Sequence, residues 1–152
     1  MKKTFVFAGF VLALSLCLSS CGGNSKDTAQ EVNNEMTSTD SKSAYELLRE
    51  EARRANEMLP MVLEDNIVAT SVSYKSGVFQ YNYLVPDEVF AITDNDPIGK
   101  EAIKATYSGV REQALIRILI QARSKVVYHY YTSKGKTADI TFETLELQEM
   151  LE

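Results

Sequence analysis

Ile67 to Lys75 and Val78 to Val85 are two strand-type runs separated by Ser76-Gly77, and this stretch restricts the fold more than any other part of the chain. Two residues ending in glycine between β-rich runs signal a tight hairpin. Pairing Lys75 with Val78 sets Tyr74 opposite Phe79, Val72 opposite Tyr81, Thr70 opposite Tyr83 and Val68 opposite Val85. Every large side chain then lands on one face, while Ser71, Ser73, Gln80 and Asn82 land on the other. That alternation belongs to a sheet with one buried side and one wet side.

Helices flank this hairpin. Ser43 with Glu46 three residues on is a capping box, so a helix is expected to start there and to end at Pro60. Tyr45, Leu48, Ala52, Ala55 and Leu59 form its apolar face, and Glu50 pairs with Arg54 at i,i+4 on the wet side. Asp96-Pro97 opens a second helix as N-cap and N1. Ile103, Tyr107, Val110, Ala114, Leu115, Ile118, Leu119 and Ala122 give it a broad stripe, kinked at Ser108-Gly109, and make it the longest helix expected. A second hairpin follows, Lys125 to Thr132 and Thr137 to Phe142, turning around Gly135. Val126, Tyr128 and Tyr130 are read as inward with Ala138, Ile140 and Phe142, which turns His129 outward. Thr144 to Leu151 suits a short closing helix.

Helix and hairpin thus occur twice in the order αββαββ. The pattern predicts a two-layer α+β domain: a four-stranded antiparallel sheet with helices on one face. The expected divisions are a signal peptide over 1–20, a lipidated cysteine and flexible tether over 21–42, and a single α+β domain over 43–152.

The amino-terminal divisions follow from composition. Met1-Lys2-Lys3 is a basic start, and Phe5 to Leu18 is a nearly unbroken apolar run of 14 residues, short of the ~20 that a spanning helix needs. The run closes in Leu18-Ser19-Ser20-Cys21-Gly22, which resembles the bacterial lipobox. That resemblance implies cleavage before Cys21 and a diacylglycerol on its thiol, with the bilayer as the first partner. Cys17 would leave with the signal, so no thiol would remain for a disulfide. Gly22 rather than aspartate after the cysteine resembles lipoproteins not retained at an inner membrane. The expected location is the cell envelope, at the outer membrane if the cell has two membranes. Losing Lys2 and Lys3 leaves 14 basic against 21 acidic residues, a balance of −7, so lipid rather than charge must hold the chain to an anionic surface. From Gly22 to Lys42 only Val32 and Met36 interrupt Gly, Asn, Gln, Ser, Thr, Ala and charges. Such a segment buries too little to order itself, and as a coil it spans on the order of 25 Å.

LPMVLEDNIVATSVSY, the Tyr81 to Tyr83 strand, the following helix and VVYHYYTSKGKTADITF together resemble a family of small secreted bacterial proteins and lipoproteins over roughly Asn56 to Phe142. Members often carry a cysteine pair in the second half, which this chain lacks, so no disulfide is carried over. At the level of the fold, the doubled unit is also similar to tandem-repeat inhibitors of secreted enzymes.

Chemistry is sparse. The acidic balance argues against nucleic acid, which calls for clustered Lys and Arg. One histidine and two cysteines argue against a metal site, and no cofactor is expected beyond the lipid on Cys21. Ser133-Lys134-Gly135-Lys136 matches S-x-x-K, yet it falls in a hairpin turn rather than on the helix that motif needs. Asp94-Asn95-Asp96 begins like a calcium loop, but Ile98 and Ala105 stand where ligands belong, and Asp96 reads better as a cap. His129, flanked by tyrosines, reads as a packing or surface residue rather than a catalyst.

Six of eight tyrosines lie in expected strands. They fill a half-buried sheet or form a recognition surface, and Tyr131, outward with His129 and Asp139, suits the second role best. With Gln80 and Asn82 these form the candidate interaction surface. The function read from the chain is a membrane-anchored lipoprotein presenting a small non-enzymatic interaction domain to an unidentified protein partner. The alternative is an inhibitor or immunity-type protein that blocks a secreted or envelope enzyme through the polar face of its sheet.

Overall fold

The computed structural model describes residues 42–151. The expected signal peptide, the expected lipobox with Cys21 and the expected tether up to residue 41 lie outside the described residues. Helix α1 (Ala44–Glu57) starts with the capping box that the sequence spells: Ser43 Oγ accepts the Glu46 N–H at 3.3 Å, and the Glu46 carboxylate accepts the Ser43 N–H at 2.8 Å. Its inward residues are Ala44, Leu48, Ala52 and Ala55, and Arg54 bonds Glu50 at 2.6 Å. Tyr45, expected on this face, is 52% exposed. With Ala44 as the first inward position, the next residue is turned by about 100°, out of the interface.

After α1 come β1 (Met61–Val62), β2 (Val68–Lys75) and β3 (Val78–Leu84), then α2 (Pro97–Thr106) and α3 (Val110–Gln121), then β4 (Lys125–Tyr131), β5 (Thr137–Phe142) and α4 (Thr144–Glu149). The α+β class and the two hairpins stand as expected, but the sheet differs. It has five strands in the order β1-β2-β3-β4-β5, and its central pair, β3 with β4, is parallel. The parallel join follows from the connection. Helices α2 and α3 carry the chain back to the end where β3 began, so β4 enters in the same direction, as in any strand-helix-strand crossover. Strand β1 was not expected, being two residues long and without alternation.

The first hairpin turns through Ser76 and Gly77, both at positive φ (52° and 74°), as its two-residue loop requires. The expected pairs hold from Lys75–Val78 to Val72–Tyr81. Beyond them the register shifts at Thr70, so that Ala69 rather than Thr70 opposes Tyr83, and Val68 opposes Leu84 rather than Val85. This bulge lets the small Ala69 face the core and puts the Thr70 hydroxyl on the Asn82 carbonyl at 3.1 Å. The second hairpin keeps its expected register: Val126–Phe142, Tyr128–Ile140 and Tyr130–Ala138 all face inward.

The expected long helix is two helices. The Asp96 carboxylate caps α2 through the Gly99 N–H at 2.7 Å. Tyr107 closes α2 and an extended Gly109 (ψ 158°) starts α3, so the helical phase is reset rather than kinked and α1 is the longest described helix. Val110 and Ala114 of the expected stripe therefore face solvent, and Ile116, outside that stripe, is fully buried. Leu48, Ile103, Ile116, Leu119 and Leu147 from the four helices share one core with Phe79, Tyr83, Val126, Tyr128, Ile140 and Phe142 from the sheet. The helix layer therefore covers one sheet face and leaves the other open.

Candidate functional site

Strand alternation sends Tyr81 and Tyr83 of β3 and Tyr128 and Tyr130 of β4 to the helix side, where the parallel register aligns them as Tyr81–Tyr128 and Tyr83–Tyr130. The second pair stacks with ring centroids 5.2 Å apart. The Tyr107 hydroxyl from the end of α2 bonds that of Tyr128. Burial pushes Tyr107 up to about 12 and also raises Tyr81, Tyr83, Tyr128 and Tyr130 above the ordinary value, because a phenolate there would lose its water. Tyr83, Tyr107, Tyr128 and Tyr130 belong to the core, and Tyr81 packs partly buried against it.

The opposite face carries the five residues singled out from the sequence. Gln80 and Asn82 stand on β3, His129 and Tyr131 on β4, and Asp139 on β5; Asn82 lies beside His129, and His129 opposes Asp139. They form one contiguous patch across three strands. His129 Nδ1 lies 2.5 Å from Asp139 Oδ1, with 28% of the histidine side chain and 52% of the aspartate side chain exposed. The imidazole stacks on the Tyr131 ring at 5.7 Å, and the Tyr131 hydroxyl donates to Thr70 Oγ1 at 3.1 Å. Gln80 Nε2 donates to Asn82 Oδ1 at 2.7 Å, and Asn82 Nδ2 donates to Ser71 Oγ at 3.0 Å. The pairs hold the side chains in fixed orientations over the sheet, so a partner would meet an ordered polar surface.

Ser71 completes this patch as the alternation predicts, together with Thr70 and Asp94, which the sequence pattern does not place there. Thr70 reaches it only because of the bulge, for which the sequence has no marker. Asp94 approaches from the loop before α2, where its carboxylate accepts the Asp139 N–H at 2.9 Å. The other sequence motifs have structural uses. Ser133 Oγ donates to Asp87 Oδ2 at 3.0 Å from within the hairpin turn, and Asp96 is a helix cap. Among the described residues no group of three or more His, Cys, Asp and Glu is placed to hold a metal ion.

No protein-family model matches the chain, and no curated protein matches it in sequence. Solved structures do match in fold. The pilotin EpsS of the Vibrio vulnificus type 2 secretion system superposes with a TM-score of 0.53 at 8% identity, over 69% of this chain and 92% of that one. The type II secretion system pilotin AspS of Vibrio cholerae gives 0.51 at 9% identity, over 68% and 91%. A Pseudomonas aeruginosa protein described as secreted gives 0.53 at 12% identity, over 68% and 92%. The α+β fold of this chain is thus similar to that of two secretion-system pilotins and a protein described as secreted.

Proposed function

We propose that this chain is a lipid-anchored, non-enzymatic protein of the cell envelope that binds a protein component of a secretion assembly, as a pilotin-like adaptor. The fold carries this reading: nearly the whole length of two secretion-system pilotins superposes on the described domain. The LSSC segment supports the anchor, since basic start, apolar length and small residues before Cys21 agree. Two or three acyl chains would hold the protein stably where one would not. The outer sheet face around His129, Tyr131, Asp139, Gln80 and Asn82 is the surface assigned to the partner. Its residues are ordered, partly exposed and outside the main core, as a recognition surface requires.

Two measurements test the reading. In the full-length protein, Cys21→Ala should move the chain from the membrane fraction to the soluble one; a variant that stays with the membrane removes the anchor. Replacing both His129 and Tyr131 by alanine should weaken cross-linking to envelope partners while lowering Tm by only a few degrees, because neither belongs to the core. Unchanged cross-linking would remove this face, and recovery of a single hydrolase would favour an inhibitor.

A further inference from the structure

Strand register sets one apolar row across the outer face of the sheet. Val62 of β1 opposes Val68 of β2, Val68 opposes Leu84 of β3, and Leu84 lies beside Tyr131 of β4. Residues paired in this way point to the same side, and the buried row next to them, Ala69, Tyr83 and Tyr130, takes the helix side. The bulge at Thr70 is what turns Val68 outward. Val62 is 69% exposed and the other three are half-buried, yet none of the four belongs to the core or packs against it. The next outward row is Ser71, Asn82, His129 and Asp139, so the apolar row borders the polar patch. Beyond the two residues of β1, both edges of the sheet are covered. The last turn of α1 lies over β2, where the Asn56 carboxamide accepts the Val72 N–H at 2.9 Å and donates to the Val72 carbonyl at 2.6 Å. The loop before α2 covers β5 through Asp94 and Asn95. What docks on this sheet therefore meets its face.

We propose, resting on the adaptor role above, that an amphipathic helix of the partner protein lies on this row, crosswise to the strands, with basic residues flanking its apolar stripe at the Val62 end. Spacing argues for a helix. Neighbouring strands stand ~4.8 Å apart. A helix returns a residue to the same face at i+3 or i+4, every ~5.4 Å, so one apolar residue falls on each of four strands. A strand laid the same way would repeat only every ~6.8 Å and lose step within two positions. Charge argues for the basic flank and against a bilayer. Glu64 and Asp65, in the turn just past Val62, are exposed, and among the described residues no ion pair reaches them. An anionic membrane would be repelled there, whereas Lys or Arg would be drawn in. Lys134 and Lys136, exposed in the turn past Tyr131, confine that attraction to the Val62 end.

Photo-crosslinking tests the geometry. p-Benzoylphenylalanine placed in turn at Val62, Val68, Leu84 and Tyr131 of the full chain, in its own envelope, should link one partner protein. The linked partner residues, mapped by mass spectrometry, should step by three or four from strand to strand. Steps of two would mean an extended segment, adducts to lipid a bilayer, and links to another copy of this chain a self-association; each overturns the proposal. It is overturned too if the four positions link nothing while a probe at His129 still links a protein, a result that leaves the adaptor role standing. No protein adduct from either His129 or the row removes that role as well. A second measurement uses Val68→Thr with Leu84→Thr, which keeps strand propensity and touches no core residue. It should lower the yield from Val62 several-fold with Tm within a few degrees of the parent, and Glu64→Lys should lower that yield as well. An unchanged yield from either variant, with circular dichroism showing it folded, overturns the proposal.

Discussion

Tyr81 lies flat against Tyr128 across the parallel junction of β3 and β4, with ring centroids 5.0 Å apart and planes 14° from parallel. The same Tyr128 ties its hydroxyl to Tyr107, so one side chain joins both hairpins to the end of α2. Tyr128→Phe keeps the stack but removes a buried hydroxyl partner, and should destabilise the domain by about 1 to 3 kcal/mol. Tyr128→Ala also loses the ring and leaves a cavity, and should destabilise by about 3 to 5 kcal/mol. Urea unfolding followed by circular dichroism separates the two; equal midpoints for Tyr128→Phe and the parent would show that the hydroxyl pair contributes nothing.

Alkaline pH should unfold the domain in a way that tyrosine absorbance can follow. Tyr81, Tyr83, Tyr107, Tyr128 and Tyr130 are all held above the ordinary value of 10.0 by burial. A raised folded pKa means that the folded state keeps its protons while the unfolded state releases them. Stability is therefore full below pH 10 and falls as pH rises above it. These five of the eight tyrosines should ionise in one step that coincides with loss of secondary structure. Gradual ionisation of all eight in a folded chain would contradict the buried cluster.

The acid limb has the opposite sign. The Ser43 N–H holds Glu46 below the ordinary 4.5, and the Lys42 ammonium, helped by Arg54, does the same for Glu50. For Glu146, partial burial acts upward, but the Lys100 ammonium and the Glu143 N–H outweigh it and the net shift is downward. Lowered carboxyl values give stability that is present above pH 4.5 and lost as pH falls below it. Glu146→Gln should flatten the fall in urea midpoint below pH 4.5 while changing little at pH 7 beyond a constant offset. An unchanged acid slope would show that the contact with Lys100, 2.6 Å in length, does not matter to stability.

Gly99 is fixed by what lies against it. A Cβ there would stand 2.6 Å from Cδ1 of Ile140, a side chain only 1% exposed and unable to swing into solvent. Gly99→Ala should therefore destabilise by about 1 to 3 kcal/mol, although alanine is the better helix former. Ile140→Val removes the opposing methyl, so the double variant should melt closer to Ile140→Val than the two single losses added together. Strict additivity would place the strain elsewhere.

What could be read before the structure was local. The capping box at Ser43, the Ser76-Gly77 turn, the Asp96-Pro97 cap and the inward set Val126, Tyr128 and Tyr130 each depend on residues within a few positions, and each stands as expected. The parallel join of β3 and β4 depends on where α2 and α3 return the chain, a packing decision spread over some forty residues that no short pattern encodes. The Thr70 bulge resolves a competition between Ala69 and Thr70 for the core side, and Tyr45 shows how one residue of helical phase moves an aromatic ring from core to solvent. The outer patch was legible in part because the alternation of both hairpins points Gln80, Asn82, His129, Tyr131 and Asp139 the same way. That they adjoin one another depends on the strand order.

The parallel join also separates the hairpin tips. The Lys125 N–H meets the Gly77 carbonyl at the start of β4, whereas the Val85 N–H meets the Tyr131 carbonyl at its end. The Ser76-Gly77 tip and the Gly135 tip therefore occupy opposite poles of the domain, on the order of 20 Å apart along strands of this length. A fluorophore on each tip would form a ruler parallel to the strand axis, and a fusion grafted at one pole would leave the other unobstructed.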